Sequence, residues 1–316
     1  MRINLAPQQL SAFLDLAHTG SFSEAARLQH MSQPNLSRTI QAMEDTLGRR
    51  LFDRTTRRVH LTPTGRELCS IAEHLVAEFD TGLGELVEFI EGRRGRVVIA
   101  ALPSISAVLL PGAIARFLAE NPAVDFHIRD ALSDSVVDTV IEGKADIGIT
   151  VRPTPVENLV YQPLVADAFG LVCRADHPLA LRTAVPWSVF ENHRFIAMDP
   201  QSSVRAMTDA AFLQVGIAVR PLYECAFLAT TGSLVAEGLG ITALPRLTLP
   251  MVGSADLVWR PLMAPSLRRS LGIVTRVGRS LSPAASIFLK VLADHARVVA
   301  ASLQDEASVL AQAPPD

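Results

Sequence analysis

The chain has 316 residues, 49% hydrophobic and 19% charged, with a formal net charge of −3. That length predicts two or three globular domains, each with its own core. No apolar run approaches the ~20 residues of a membrane-spanning helix, and Pro7, Gln8, Gln9 and Asp15 interrupt the N-terminal segment where a secretory signal needs unbroken apolar residues. The expectation is a cytoplasmic protein with no membrane partner.

In chain order, the first predicted helix spans 6–18 and buries Leu10, Phe13, Leu14 and Ala17. A second covers 21–29, with Ser21 and Glu24 at capping-box spacing and small residues Ala25 and Ala26 for close packing. "HMS" breaks the pattern. Ser32 is a good N-cap, and Pro34 falls in the following first turn, where its missing N–H costs little. Leu36, Ile40, Met43 and Leu47 then recur at intervals of four, three and four, one buried helical stripe ended by Gly48. Gln33, Asn35, Ser37, Arg38 and Gln41 are left on or beside the opposite face. Helix, helix, short turn, helix with a polar outer face is the arrangement that can lay its last helix in a DNA major groove. Gln, Asn and Arg can read base edges there, while serines and free N–H groups hold phosphate. The same helices could equally form a small bundle with a solvated face.

The next stretch bears on that choice. Leu51-Phe52 and Val59-His60-Leu61 read as two short strands around a basic turn, and residues 49–66 hold Arg49, Arg50, Arg54, Arg57, Arg58 and Arg66 against the single acid Asp53. A two-stranded wing carrying Arg54, Arg57 and Arg58 directly after the helix-turn-helix would neutralise phosphates or enter the minor groove. Residues 67–91 hold seven acids and no Lys or Arg, so the basic character is local and points to a polyanion partner for the N-terminal part alone.

The run "LSAFLDLAHTGSFSEAARLQHMSQPNLSRTIQAMEDTLGRRLFDRTTRRVHLTPTG", nearly all of residues 5–65, resembles the LysR-type transcriptional regulators. "SFSEAA", "MSQPNLSRTIQAMEDTLG" and "LFDRT…LTPTG" carry most of the match. "GKADIGI", "HPLA" at 177–180 and "LVAEGLGITALP" at 234–245 extend it more loosely through the rest of the chain. The resemblance implies a DNA-binding regulator and not an enzyme. Its expected DNA contacts are Ser32, Gln33, Pro34, Asn35, Ser37, Arg38, Gln41, Arg54, Arg57 and Arg58. Double-stranded DNA, a small-molecule effector and further copies of the chain, as a dimer or a tetramer built from two dimers, are the expected partners, with RNA polymerase as a further candidate.

From Thr62-Pro63, Leu68, Ile71, Leu75, Phe79, Leu83, Leu86 and Ile90 follow at intervals of three and four. This narrow seam on a long helix suits pairing with its own copy, although Gly82 and Gly84 weaken its interior by ~1 kcal/mol each relative to Ala. After "EGRRGR", strand patterns ("RVVIAA", "VDFHIRDA", "ADIGITV") alternate with helices near 105–119 and 134–142. Segments at 160–175, 194–198, 203–216, 218–226, 228–238 and 241–246 continue the alternation. That predicts two α/β subdomains with a mostly parallel sheet, joined by two crossings. A cleft lined by strand ends and helix N-termini would lie between them and suit an anion or polar small molecule.

The expected organisation is a winged helix-turn-helix domain over 1–61, a linker and dimerisation helix over 62–92, and an effector domain over 93–303 similar to type 2 periplasmic binding proteins. Subdomain I takes about 95–160 and 268–303, subdomain II about 161–267, and 304–316 reads as a disordered tail. By the family's pattern the effector contacts fall on Ser104, Leu132, Thr150, Ser202, Ser203, Phe227 and Thr230, with a carboxylate or aromatic acid as the ligand. Any one of these hydroxyls alone reads as an ordinary helix cap. The three cysteines, Cys69, Cys173 and Cys225, match no metal-ligand spacing, and the eight histidines do not cluster with acids or cysteines along the sequence. No metal or cofactor is expected. Cys225, alone in a strand, reads as a small buried apolar residue ahead of a redox sensor. An enzyme acting on the bound molecule and a metabolite-buffering module are the rival classes.

Overall fold

A computed structural model describes residues 3–54, 59–153, 158–253 and 255–312. Its backbone divides into two compact units, 1–88 and 89–316.

The first unit opens with α1 (Pro7–Thr19), α2 (Phe22–Leu28) and α3 (Gln33–Leu47). Each helix stops for a local reason. Gly20 and Gly48 close α1 and α3 in the left-handed conformation, at φ 61° and 66°. Ser21 and Ser32 start α2 and α3, their hydroxyls accepting from the Glu24 and Asn35 amides, both at 3.4 Å. The reciprocal half of the expected capping box does not form. The Glu24 carboxylate instead pairs with Arg27 one turn on (2.6 Å), a charge-assisted contact stronger than a bond to a neutral amide. The Ser21 amide donates to Thr19 Oγ1. Leu36, Ile40 and Met43 of α3 pack into one core with Leu10, Phe13, Leu14 and Leu16 of α1, while Ala17 is only partly buried against it.

Strands β1 (Phe52–Arg54) and β2 (Val59–Leu61) pair antiparallel, Phe52 opposite Leu61, to make the expected wing. Buried Glu44 fixes its root, its Oε1 accepting from the Leu51 and Phe52 amides at 2.7 and 3.3 Å. Thr62 ties the wing to α4 (Pro63–Ile90): its hydroxyl donates to the Arg50 carbonyl (2.8 Å) and accepts from the Gly65 amide (3.0 Å). A Cβ at Gly65 would stand 2.1 Å from the Leu51 carbonyl oxygen, so the helix and the wing can approach this closely only with glycine there.

The second unit holds β3 (Arg94–Ala101), α5 (Pro103–Val108), α6 (Leu110–Glu120), β4 (Ala123–Asp130), α7 (Ser133–Ile141) and β5 (Ile147–Val151). Next come β6 (Leu159–Arg174), β7 (Val185–Pro186), β8 (Phe195–Met198), α8 (Ser203–Val215), β9 (Pro221–Cys225), α9 (Leu228–Ala236) and β10 (Thr242–Pro245). It ends with β11 (Leu257–Met263), β12 (Arg268–Arg276) and α10 (Pro283–Gln312). Strands run in the order β4-β3-β5-β12-β6-β11-β7, with β10 also on β6 and a separate parallel pair β8-β9.

The sheet is mixed, not mostly parallel as the alternation suggested. Strands β3, β4 and β5 are parallel, but β12 lies antiparallel between β5 and β6, and β10 and β11 are antiparallel to β6. The 16-residue β6 runs straight from one core into the next with β12 beside it, and antiparallel neighbours need no covering crossover helix. One core gathers Phe117, Ile147, Ile149, Leu271 and Phe288. The other gathers Trp187, Phe190, Phe195, Phe212 and Trp259, with Cys225 buried inside it as a small apolar side chain. Helix α10 runs nine residues beyond the expected end at 303. Residues 304–312 were expected to be disordered, but from Ser302 to Gln312 there is no Gly or Pro and several good helix formers, so nothing stops the helix. Residues 313–316 lie outside the described residues.

Candidate DNA interface and effector cavity

The polar side of α3 is open. Ser32, Gln33, Pro34, Asn35, Arg38 and Gln41 are exposed and Ser37 is half-buried. Some of their hydrogen-bonding capacity is already committed. The Ser32 hydroxyl caps the helix, Gln33 Oε1 accepts from Ser23 (3.4 Å), and Gln41 Nε2 donates to Asp45 (2.9 Å). Arg38 makes no hydrogen bond or ion pair among the described residues, which leaves its five donors for an outside acceptor. Of the wing arginines, Arg54 ends β1, with its side chain outside the described residues; Arg57 and Arg58 lie outside them altogether.

Along α4, Ile71, Leu75, Phe79, Leu83, Leu86 and Ile90 stand 47–61% exposed. Six large apolar side chains in one helical row form a surface that water covers poorly. Leu68, expected in the same seam, is partly buried against the winged core.

In the second unit a cavity of about 210 Å³ takes Ser104 from α5, Leu132 before α7, Ser202 and Ser203 at the start of α8, and Phe227 before α9. Met198, Leu228 and Met251 make its wall largely apolar. Five of the seven expected effector contacts thus converge. The other two do not line it. Thr150 sits at the end of β5 in an adjoining, more open recess of about 470 Å³, with Ser133, Arg152 and again Ser202 and Ser203. The hydroxyls of Thr150 and Ser133 are buried and have no hydrogen-bond partner among the described residues. Thr230 is exposed on α9 and lines neither recess, because one residue along the helix, about 100°, takes it off the buried face that Thr231 occupies.

Two further residues matter and were not singled out in the sequence. Arg269 of β12 lines the cavity at only 3% exposure, held by Asp167 of β6 (Nε to Oδ2 2.9 Å, the second nitrogen 2.7 Å) and donating to the Ser104 hydroxyl (2.9 Å). Asp167 also accepts from the Leu247 amide at 3.0 Å. Burial pulls the guanidinium pKa down and Asp167 opposes that. The remaining nitrogen, NH1, has no hydrogen-bond partner among the described residues. The signal for the pair was Asp167, a lone acid in the apolar run "VADAFGLVC"; nothing in "RRSLGIV" marks Arg269 apart from its neighbour Arg268.

A second grouping runs against the sequence reading. His18, Cys69 and Glu73 come together in space, with ligand-capable atoms all within 4.8 Å of one another. Burial and the neighbouring Glu73 raise the Cys69 thiol pKa.

Residues 7–66 match the family model "Bacterial regulatory helix-turn-helix protein, lysR family", and residues 91–297 match "LysR substrate binding domain". The HTH-type transcriptional regulator YbhD of Escherichia coli K12 is 34% identical over 283 residues, covering 90% of this chain and 89% of its own. The transcriptional dual regulator OxyR of the same organism is 28% identical, covering 87% of this chain and 90% of its own. The solved structure of full-length CbnR complexed with its target DNA superimposes with a TM-score of 0.74 at 17% identity, over 92% of this chain and all of that one. Full-length OxyR C199D from Pseudomonas aeruginosa does so at 0.67 and 24%, over 93% of this chain and all of that one. These two likenesses show the fold.

Proposed function

Because the chain belongs to the LysR family of DNA-binding transcriptional regulators with an effector-binding domain, we propose that its cavity takes a small apolar acid whose carboxylate meets Arg269. The free NH1 of that buried arginine carries the reading. Asp167 already balances the guanidinium charge, so the pair offers an acid one directed donor, NH1, and no net charge. Ser104 and the N-terminal end of α8, where the Ser202 hydroxyl accepts from the Val204 amide (3.2 Å), add donors around the same point. The apolar wall of Met198, Phe227, Leu228 and Met251 suits the rest of the molecule. Thr150 serves the outer recess, as a contact for polar substituents.

DNA is held by Gln33, Asn35, Ser37, Arg38 and Gln41 in the major groove, with Ser32 and Pro34 at the phosphate edge and Arg54, Arg57 and Arg58 on the flanking strands. Two chains pair along the apolar row of α4, and two winged domains then require inverted half-sites about 10 bp or a multiple apart. A tetramer of two such pairs works in the cytoplasm and meets RNA polymerase at the promoter. The effector, by preferring one state of the cleft, shifts the population of assemblies that differ in half-site spacing.

Two measurements test this. Phe79→Glu places a charge in the pairing row and should convert the protein to monomers by light scattering, without lowering its helix content; an unchanged mass would place the pairing surface elsewhere. A thermal-shift screen of aromatic and short aliphatic acids, each against its neutral amide, should give hits among the acids alone. The best hit should alter the DNase footprint upstream of the gene. Amides binding as tightly as acids would overturn the carboxylate reading.

A further inference from the structure

We propose that His18, Cys69 and Glu73 form a divalent-metal site, with zinc as the best-fitting ion, that staples α1 to α4. The three donors come from two helices. His18 is in the last turn of α1, and Cys69 and Glu73 stand one turn apart on the same face of α4. Both backbones are held by the winged core, into which Leu16 and Ala72 are fully buried and against which Cys69 itself packs. The donors converge on one point. His18 Nε2 lies 3.2 Å and Cys69 Sγ 3.8 Å from the same oxygen, Glu73 Oε1. Zinc bonds of ~2.0 Å to nitrogen and oxygen and ~2.3 Å to sulfur, at tetrahedral angles, would put these pairs ~3.3 and ~3.5 Å apart. The third pair, His18 Nε2 and Cys69 Sγ, lies within 4.8 Å and would close to ~3.5 Å. An ion therefore fits after a side-chain adjustment of about 1 Å, which exposed His18 and Glu73 can make while half-buried Cys69 stays in place. Thiolate, imidazole and carboxylate are zinc's own donor set, and the fourth position would be water. Calcium and magnesium, which select oxygen, are disfavoured by the sulfur and nitrogen.

The site is separate from the pairing row, because Ile71 and Leu75 point away from the face that holds Cys69 and Glu73. Binding would release the thiol proton to solvent and add its free energy to the stability of the winged unit.

The test uses tag-free, full-length protein freed of metal by a chelator and then titrated with Co²⁺. The expected result is one equivalent per chain, with thiolate-to-cobalt charge-transfer absorption that Zn²⁺ displaces. Zinc should also raise the melting temperature. Cys69→Ala should abolish the charge-transfer band, while His18→Ala and Glu73→Gln should weaken binding about tenfold or more. His18 and Glu73 are 60% and 54% exposed in their side chains, so these two variants decide the matter even if the cysteine variant folds poorly. A band that persists in Cys69→Ala, or absence of any thiolate–cobalt band in the parent, overturns the proposal. So does a melting temperature that zinc leaves unmoved. None of these readouts involves DNA or effector, so failure here is distinguishable from failure of the cavity reading.

Discussion

Replacing Arg38 by Ala should abolish specific DNA binding while leaving the fold intact. Arg38 stands exposed on α3 between buried Leu36 and Ile40, so truncation removes no core contact. A good base or phosphate contact by Arg is worth about 1–3 kcal/mol. A pair of chains loses it twice, about 2–6 kcal/mol, so affinity for the operator should fall roughly 30- to 3 × 10⁴-fold, given RT of about 0.6 kcal/mol. Fluorescence anisotropy on operator and scrambled duplexes at fixed salt measures this, alongside a melting curve. A base-reading role shows as a loss confined to the operator. A phosphate role weakens both duplexes and lowers the salt slope by about one per contact. Unchanged binding to both duplexes would remove α3 from the interface and, with it, the account of how this chain reads DNA.

The second large effect is expected at Asp167. Its carboxylate is the partner of a guanidinium only 3% exposed and also satisfies the Leu247 amide. Asp167→Ala leaves a buried charge without its counter-ion and a buried amide without its acceptor, which should cost about 3–5 kcal/mol in the second unit. The double variant Asp167→Leu with Arg269→Met removes both charges together and should recover most of that loss, since a buried pair and an apolar pair of similar volume are close in stability. Both tryptophans, Trp187 and Trp259, lie in the second unit, so their fluorescence in urea follows that unit by itself. The double variant should fold and yet no longer respond to the acid that stabilises the parent. If Asp167→Ala proves as stable as the parent, the pair is not the buried, mutually dependent couple that its distances describe.

These two sites differ in how far they could be read beforehand. The α3 face was legible because helix packing is local: Leu36, Ile40 and Met43 fix which side is buried, and the polar remainder follows from 3.6-residue periodicity. Ser32 and Gly48 fixed where that helix starts and stops by chemistry within four residues. The wing pairing of Phe52 with Leu61 followed from two short strands around a turn. The cavity of the second unit was half legible. Ser104, Leu132, Ser202, Ser203 and Phe227 lie at element junctions that the strand–helix alternation places at one cleft. Thr230 stays outside that cavity because one residue of rotation along α9 turns a side chain to solvent, finer than alternation can resolve. The end of α10 was missed for a related reason: polar composition at a terminus does not prevent a helix when no breaker intervenes.

What the sequence determined alone is therefore the family and the helix whose polar side stays exposed, both carried by patterns a few residues long. Tertiary structure decided what depends on long separations. It set β12 between β5 and β6 and so made the sheet mixed. It brought Arg269 to Asp167 across 102 positions and His18 to Glu73 across 55. Spacing along the chain carries no record of such meetings, because they exist only once separate elements have packed and chosen which faces touch.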